Sequence, residues 1–333
     1  MKGMGLLDLY NENVPEHISR ISSCDIFARL KGIGMNCGCE YTDLPLFRDI
    51  APYSRFDHSV GVSLIVWHFT KDLRASVAGL LHDISSPSFS HVIDFLNRDY
   101  LSQESTEAPT LDMIRSSDEL VRILDGYDLA PEDVCDYHVF PVADNETPKL
   151  SADRLEYTLG NGLNYGFTTE RDVRRMYDDI TVGTNEDGID ELAFTDPAVA
   201  SEFSRLALSC SKVYVSDQDR YAMQILSEIV AGALERGTIS LEHLYEPEDR
   251  LIGRLCSAET SRKEWERFIR LFRVTESGPG PWARMIVAKK RHINPLVKGM
   301  GRVTDYDADF KAGLSAYLSW NLEYWIEGTF GQQ

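Results

Sequence analysis

Arg55-Phe56-Asp57-His58-Ser59-Val60-Gly61, followed by Ala78-Gly79-Leu80-Leu81-His82-Asp83-Ile84, is the part of the chain whose reading decides the fold. Apolar residues recur at helical spacing within Ser59 to Leu73 (Val60, Leu64, Ile65, Trp67, Phe69) and within Ala75 to Leu81 (Val77, Ala78, Leu80, Leu81). The pattern predicts two buried helices joined by a short polar turn. His58 then opens one helix and His82-Asp83 closes its antiparallel neighbour, so the two ends should meet. Residues adjacent in mid-helix point roughly 100° apart and do not readily share one ion. Ser85-Ser86-Pro87 ends or distorts the helix just after the pair and loosens that restriction.

Asp153, in Ser151-Ala152-Asp153-Arg154-Leu155-Glu156-Tyr157, arrives from a later helix. Any one of these residues alone would ordinarily be a satisfied core polar group. Taken together, His58, His82, Asp83 and Asp153 offer two imidazoles and two carboxylates. That set suits one divalent metal ion, such as manganese, iron, zinc, nickel or magnesium, and leaves coordination positions for water and substrate.

With Ser88-Phe89-Ser90-His91, these stretches resemble the HD-domain phosphohydrolases, and among them the deoxynucleoside triphosphate triphosphohydrolases. The resemblance runs from Ile26-Phe27-Ala28-Arg29-Leu30 through Tyr157. It implies that His58, His82, Asp83 and Asp153 bind the metal and that Arg55 contacts a substrate phosphate. It further implies that His91 and Asp94 form a catalytic or water-positioning pair, with Arg154 and Tyr157 near the phosphates or sugar. Elementary chemistry agrees with most of this. A cation bound by two carboxylates is close to neutral overall and lowers the pKa of a bound water, while a neighbouring arginine neutralises phosphoryl oxygens. His91 and Asp94, three apart, are expected on one helix face after Pro87, the plain alternative being a helix-surface contact. The expected fold is all-α: an HD-domain core with N-terminal helices over residues 1–165, then a mostly helical C-terminal extension over 166–333 with at most a small β-hairpin.

Two departures bear on the chemistry. Triphosphohydrolases of this branch carry a histidine close after the His-Asp pair, where this chain has Ser85-Ser86, and a His-Glu dipeptide further on, where it has Gln103-Glu104. Glutamine can hydrogen-bond a substrate but cannot deliver a proton at neutral pH, so Gln103 is read as substrate-binding and Glu104 as a partner for a nearby water. Three functions stay open: a phosphohydrolase of nucleotides, with deoxynucleoside triphosphates the first candidate; a phosphohydrolase of nucleoside monophosphates or signalling nucleotides; and a non-catalytic nucleotide-binding protein. Gly126-Tyr127-Asp128 lacks the proline of the Gly-Tyr-Pro motif associated with cyclic dinucleotide hydrolysis. Relatives suggest a homo-oligomer.

A formal charge of -19 argues against general nucleic-acid binding and would repel an anionic substrate unless local charge reverses it. Residues 250–302 do so, with 13 basic residues against four acids, which leaves the rest of the chain at -28. A solvated helix face accounts for most such runs. Lys289-Lys290-Arg291-His292 is the densest piece and the candidate for phosphate contact outside the HD motif. Six cysteines lack the paired spacing of a zinc ribbon. Cys37-Gly38-Cys39 is the one close pair, and its neighbourhood does not plainly offer two more ligands. Met1-Lys2-Gly3-Met4-Gly5-Leu6-Leu7-Asp8 reaches an acid before an apolar signal segment can develop, and no apolar run suits a membrane span, so a cytoplasmic protein is expected.

Further along, Asp172 to Asp179, Pro197 to Lys212, Ser216 to Arg236, Ser261 to Phe272 and Asp307 to Ile326 read as helices. Ile180-Thr181-Val182 and Leu192-Ala193-Phe194, flanking Asn185-Glu186-Asp187-Gly188, read as a small hairpin. Ser277-Gly278-Pro279-Gly280-Pro281 reads as a linker between the acidic body and part of the basic segment. His68 is expected in the core, and His138 is kept as an accessory to the site.

Overall fold

Ser54 and Asp57 start the central helix of the computed structural model, which describes residues 6–10, 13–92 and 109–332. Ser54 Oγ accepts from the Asp57 N–H at 3.2 Å, and Asp57 Oδ2 accepts from the Ser54 N–H at 3.1 Å, a reciprocal cap for the helix Arg55–Thr70. Lys71, at φ 54°, reverses the chain. Asp72 Oδ1 then accepts from the N–H groups of Arg74 and Ala75 to begin Leu73–Leu81. The predicted hairpin of helices is therefore present. The two helices approach closely at Gly79, where a Cβ would lie 3.2 Å from Val62 Cγ1.

The helix Ala152–Asn164, capped by Ser151, crosses the central helix at Gly61, where a Cβ would stand 2.7 Å from Glu156 Cγ. The helices Glu170–Asp178, Pro197–Tyr214, Asp217–Glu235 and Glu259–Phe268 follow the predicted segments within a few residues. One apolar cluster joins Ile18, Val62, Leu80 and Leu155 to Phe203 and Phe310. A second joins Cys39 and Phe89 to Leu226, Trp265, Phe268 and Ile326. Both halves of the chain contribute to each cluster. Among the described residues no helix is long and apolar enough to cross a membrane.

The β-structure exceeds the single hairpin expected. That hairpin exists as β1 (Ile180–Thr184) and β2 (Asp190–Phe194), paired antiparallel with Ile180 opposite Phe194. Strands β3 (Leu271–Glu276), β4 (Ala283–Met285), β5 (Leu296–Val297), β6 (Gly301–Arg302) and β7 (Trp325–Phe330) come from the second half. Strand β2 pairs in parallel with β5, which pairs with β6 to complete a four-stranded sheet. The other three form an antiparallel sheet in the order β3-β7-β4. The helix read over Asp307 to Ile326 ends at Leu318, because Trp325–Phe330 finds strand partners on both edges and pairing overrides local preference. Residues 277–281 connect two strands of that sheet and do not link separate lobes.

Arg302 ties the first sheet together. Its guanidinium meets both carboxylate oxygens of the fully buried Glu191, at 2.7 and 2.8 Å, and Glu186 at 2.8 Å. Removing one partner of a buried pair strands the other charge. Arg302→Ala is expected to destabilise the protein by about 3 kcal/mol, read as a lowered denaturant midpoint, whereas Lys263→Ala, which breaks an exposed i,i+4 pair with Glu259, should change stability by under about 0.5 kcal/mol.

Candidate metal centre

His58 projects from the first turn of the central helix, and His82 and Asp83 lie where Leu73–Leu81 gives way to a turn. Asp153 sits in the first turn of Ala152–Asn164. Four atoms converge: His58 Nε2 lies 3.2 Å from His82 Nε2, 3.0 Å from Asp153 Oδ1 and 3.9 Å from Asp83 Oδ2. His82 Nε2 lies 3.5 Å from Asp83 Oδ2 and 3.8 Å from Asp153 Oδ1. The turn after Leu81 is what lets neighbouring residues face one point, as the sequence required.

The far side of each imidazole is held. His82 Nδ1 contacts the Gly79 carbonyl at 2.8 Å, and His58 Nδ1 contacts Glu156 Oε2 at 2.5 Å. Both contacts keep the proton on Nδ1 and turn the Nε2 lone pairs toward the shared point. Glu156 is fully buried and also accepts from the hydroxyls of Tyr53 and Tyr10. Glu156 was missed as a site residue. The available signal was its position three after Asp153, on the same helix face, opposite a glycine three after His58.

The electrostatics favour a cation. Burial works against a charged His58, but its contacts with Asp153 and Glu156 outweigh that and raise its pKa to about 10. Burial likewise opposes ionisation of Asp83, yet Arg55, then His82 and His58, hold it well below the usual carboxylate range. Two imidazole nitrogens and two carboxylates within about one coordination sphere fit a divalent ion of the borderline class. His58, His82 and Asp83 alone form a compact ligand cluster, with Asp153 at its more open side.

The remaining predicted residues fall as follows. Arg55 is buried, with Nη1 bonded to Asp83 Oδ2 at 2.8 Å and Nε to Ser90 Oγ at 3.0 Å, so it braces a metal ligand from the cavity wall. Ser86 donates to the other oxygen of Asp83 at 2.9 Å. Arg154 holds the segment before its own helix, through Asn145 Oδ1 at 2.6 Å and Asp144 Oδ1 at 3.3 Å. His91 lines the same cavity from the turn just before Val92, after the left-handed residues Phe89 and Ser90. Asp94, Gln103 and Glu104 lie outside the described residues. His138 meets Asp144 Oδ2 at 3.4 Å. His68, expected in the core, is instead exposed near the end of the central helix, its ring against Phe69 and Tyr177.

The four candidate ligands, with Arg55, His91, His138 and Arg154, line a cavity of about 1090 Å³, which also takes in Tyr157, Tyr165, Asp219 and Lys289 to His292. Much of the rest of the basic segment pairs with surface acids, as in Arg254 with Glu246 and Arg284 with Glu228. Lys290 caps the carbonyls of Leu318 and Trp320. Burial pushes the Cys37 thiol up to about 12 and the Cys39 thiol well above its ordinary range, so neither is a ready thiolate ligand.

A histidine and a histidine-aspartate pair on a helical hairpin, with an aspartate from a later helix, form a candidate site for a divalent metal ion at the wall of a large cavity. The chain is 28% identical over 258 residues to a protein named metal-dependent phosphohydrolase cns2 of Cordyceps militaris, covering 76% of this chain and 70% of that protein. It is also 24% identical over 209 residues to the uncharacterized protein YdhJ of Bacillus subtilis, covering 62% of each. The chain thus spans a little under two thirds of the Bacillus relative. No protein-family model matches it.

Loss of the support behind His58 should show in metal affinity. Glu156→Gln and Gly61→Ala, the latter forcing a methyl against Glu156, are each expected to weaken divalent-metal binding about 10- to 100-fold in a chelator competition, with His82→Ala weaker still. Unchanged affinity in Glu156→Gln would show that the Nδ1 contact does not orient the ligand.

Proposed function

We propose that the protein is a metal-dependent phosphohydrolase acting on a nucleotide, with deoxynucleoside triphosphates the first substrates to try and nucleoside monophosphates or signalling nucleotides the next. The observation that carries this reading is the convergence of four ligand atoms at the wall of a cavity large enough for a nucleotide, with Lys289 and Arg291 on the same cavity. A divalent ion held there supplies Lewis-acid polarisation of a phosphoryl oxygen and lowers the pKa of water. The chain's own residues do the rest. Arg55 and Ser86 fix Asp83, while Glu156 and the Gly79 carbonyl fix the imidazoles. Lys289 and Arg291 supply the positive charge that a phosphate needs against a net charge of -19. His91 and Tyr157 face the same space and are the candidates for proton transfer and sugar or phosphate contact.

One observation favours the non-catalytic alternative: Arg55 and Arg154, which the family resemblance assigns to phosphates, are engaged with Asp83 and with Asn145. Assay with Mn, Fe, Ni, Zn and Mg against nucleoside mono-, di- and triphosphates, with products separated, decides between the readings. Hydrolysis is expected, and Asp153→Asn should lower kcat at least 100-fold. Lys289→Glu combined with Arg291→Glu should raise KM at least tenfold with a smaller effect on kcat. Tight nucleotide binding without turnover under every metal would select the non-catalytic reading.

A further inference from the structure

Among the described residues, four acids other than the candidate ligands line the cavity: Asp136, Asp144, Glu146 and Asp219. Asp144 is answered by Arg154 and His138, Asp136 is answered by His138, and Glu146 is exposed. Among the described residues, Asp219 has no cation at ion-pairing distance. Its neighbour Arg220 is fully buried and binds Asp217 at 2.7 Å and the carbonyls of Ile286 and Leu322. The side-chain contact left to the Asp219 carboxylate is Cys39 Sγ at 4.0 Å, a weak donor. Asn36, Cys37, Tyr165 and Met223 complete this part of the wall. Burial, opposed only by Arg220, pushes Asp219 up to about 8. An acid so placed lowers stability, and a polar group left short of partners in a binding cavity calls for a ligand.

We infer that Asp219 is a specificity residue that reads the uncharged nucleoside end of the substrate by hydrogen bonding to an N–H of the base or an O–H of the sugar. The inference rests on the nucleotide reading above. A neutral carboxyl offers one donor and one acceptor side by side, which matches a two-atom base edge, whereas an ionised one only accepts. Phosphates gain more from a bound cation and from Lys289–Arg291 than from a carboxyl in either form, and are directed there. The cavity therefore has a phosphate end and a nucleoside end.

The test compares full-length wild type, Asp219→Asn and Asp219→Ala by kcat/KM across nucleotides that differ in base at constant sugar, and in sugar at constant base. Equilibrium binding of the same nucleotides is measured in parallel. The variants are expected to narrow the spread between the best and worst substrate at least tenfold. Narrowing in the base series assigns the contact to the base, and narrowing in the sugar series assigns it to a hydroxyl. Melting temperatures of both variants at pH 8.5 should equal or exceed that of wild type, since an acid with only a weak thiol donor beside it is removed. A lowered melting temperature with discrimination intact assigns Asp219 to the scaffold and overturns the inference. A wild type that neither binds nor hydrolyses any nucleotide overturns the nucleotide reading and this inference with it. A wild type that discriminates, beside variants that discriminate equally, overturns this inference alone.

Discussion

His58 can offer a lone pair to a cation only if its proton sits on the opposite nitrogen, and Glu156 secures that arrangement from inside the protein. The carboxylate is completely enclosed, and enclosure of an ion unopposed would cost several kcal/mol. His58, Tyr53 and Tyr10 offset it. Gly61 leaves the space in which the carboxylate stands. The crossing of two helices, the choice of glycine at the crossing and the direction of a lone pair are thus one constraint. The remaining ligands are easier to place: a turn after Leu81 presents His82 and Asp83, and the Ser151 cap sets the first turn that carries Asp153.

Charge is organised around this centre at two scales. Over the whole surface the protein is strongly acidic, and part of its basic segment is spent on local pairs such as Arg254 with Glu246 and Arg302 with Glu186 and Glu191. What reaches the cavity is the short piece around Lys289 and Arg291. A distant anion meets the acidic field, and an anion already inside meets Lys289 and Arg291 on the cavity wall.

The helical hairpin, the approach of the four candidate ligands and the acidic β-hairpin were legible because each rests largely on local signals: helical spacing, a turn after His82-Asp83, and acids with glycine between two β-prone runs. Glu156 was not, because nothing local separates a glutamate that orients a ligand from one on a solvated face. Arg55 and Arg154 were recognised as site arginines, but their partners Asp83 and Asn145 depend on tertiary placement. The second sheet escaped for a related reason. Trp325–Phe330 is a strand only because β3 and β4 flank it, and those partners are brought to it by the fold.

The order β3-β7-β4 has a consequence for how the chain reaches its native state. Strands β3 and β4 are made before the segment that will separate them, so each has an unmet row of backbone donors and acceptors until residues 325–330 insert. Phe272 and Met285, exposed even in the finished protein, belong to those waiting strands. During that interval the inner edges of both strands are open to pairing with a foreign strand, and the insertion of a single central strand both builds the sheet and closes those two edges.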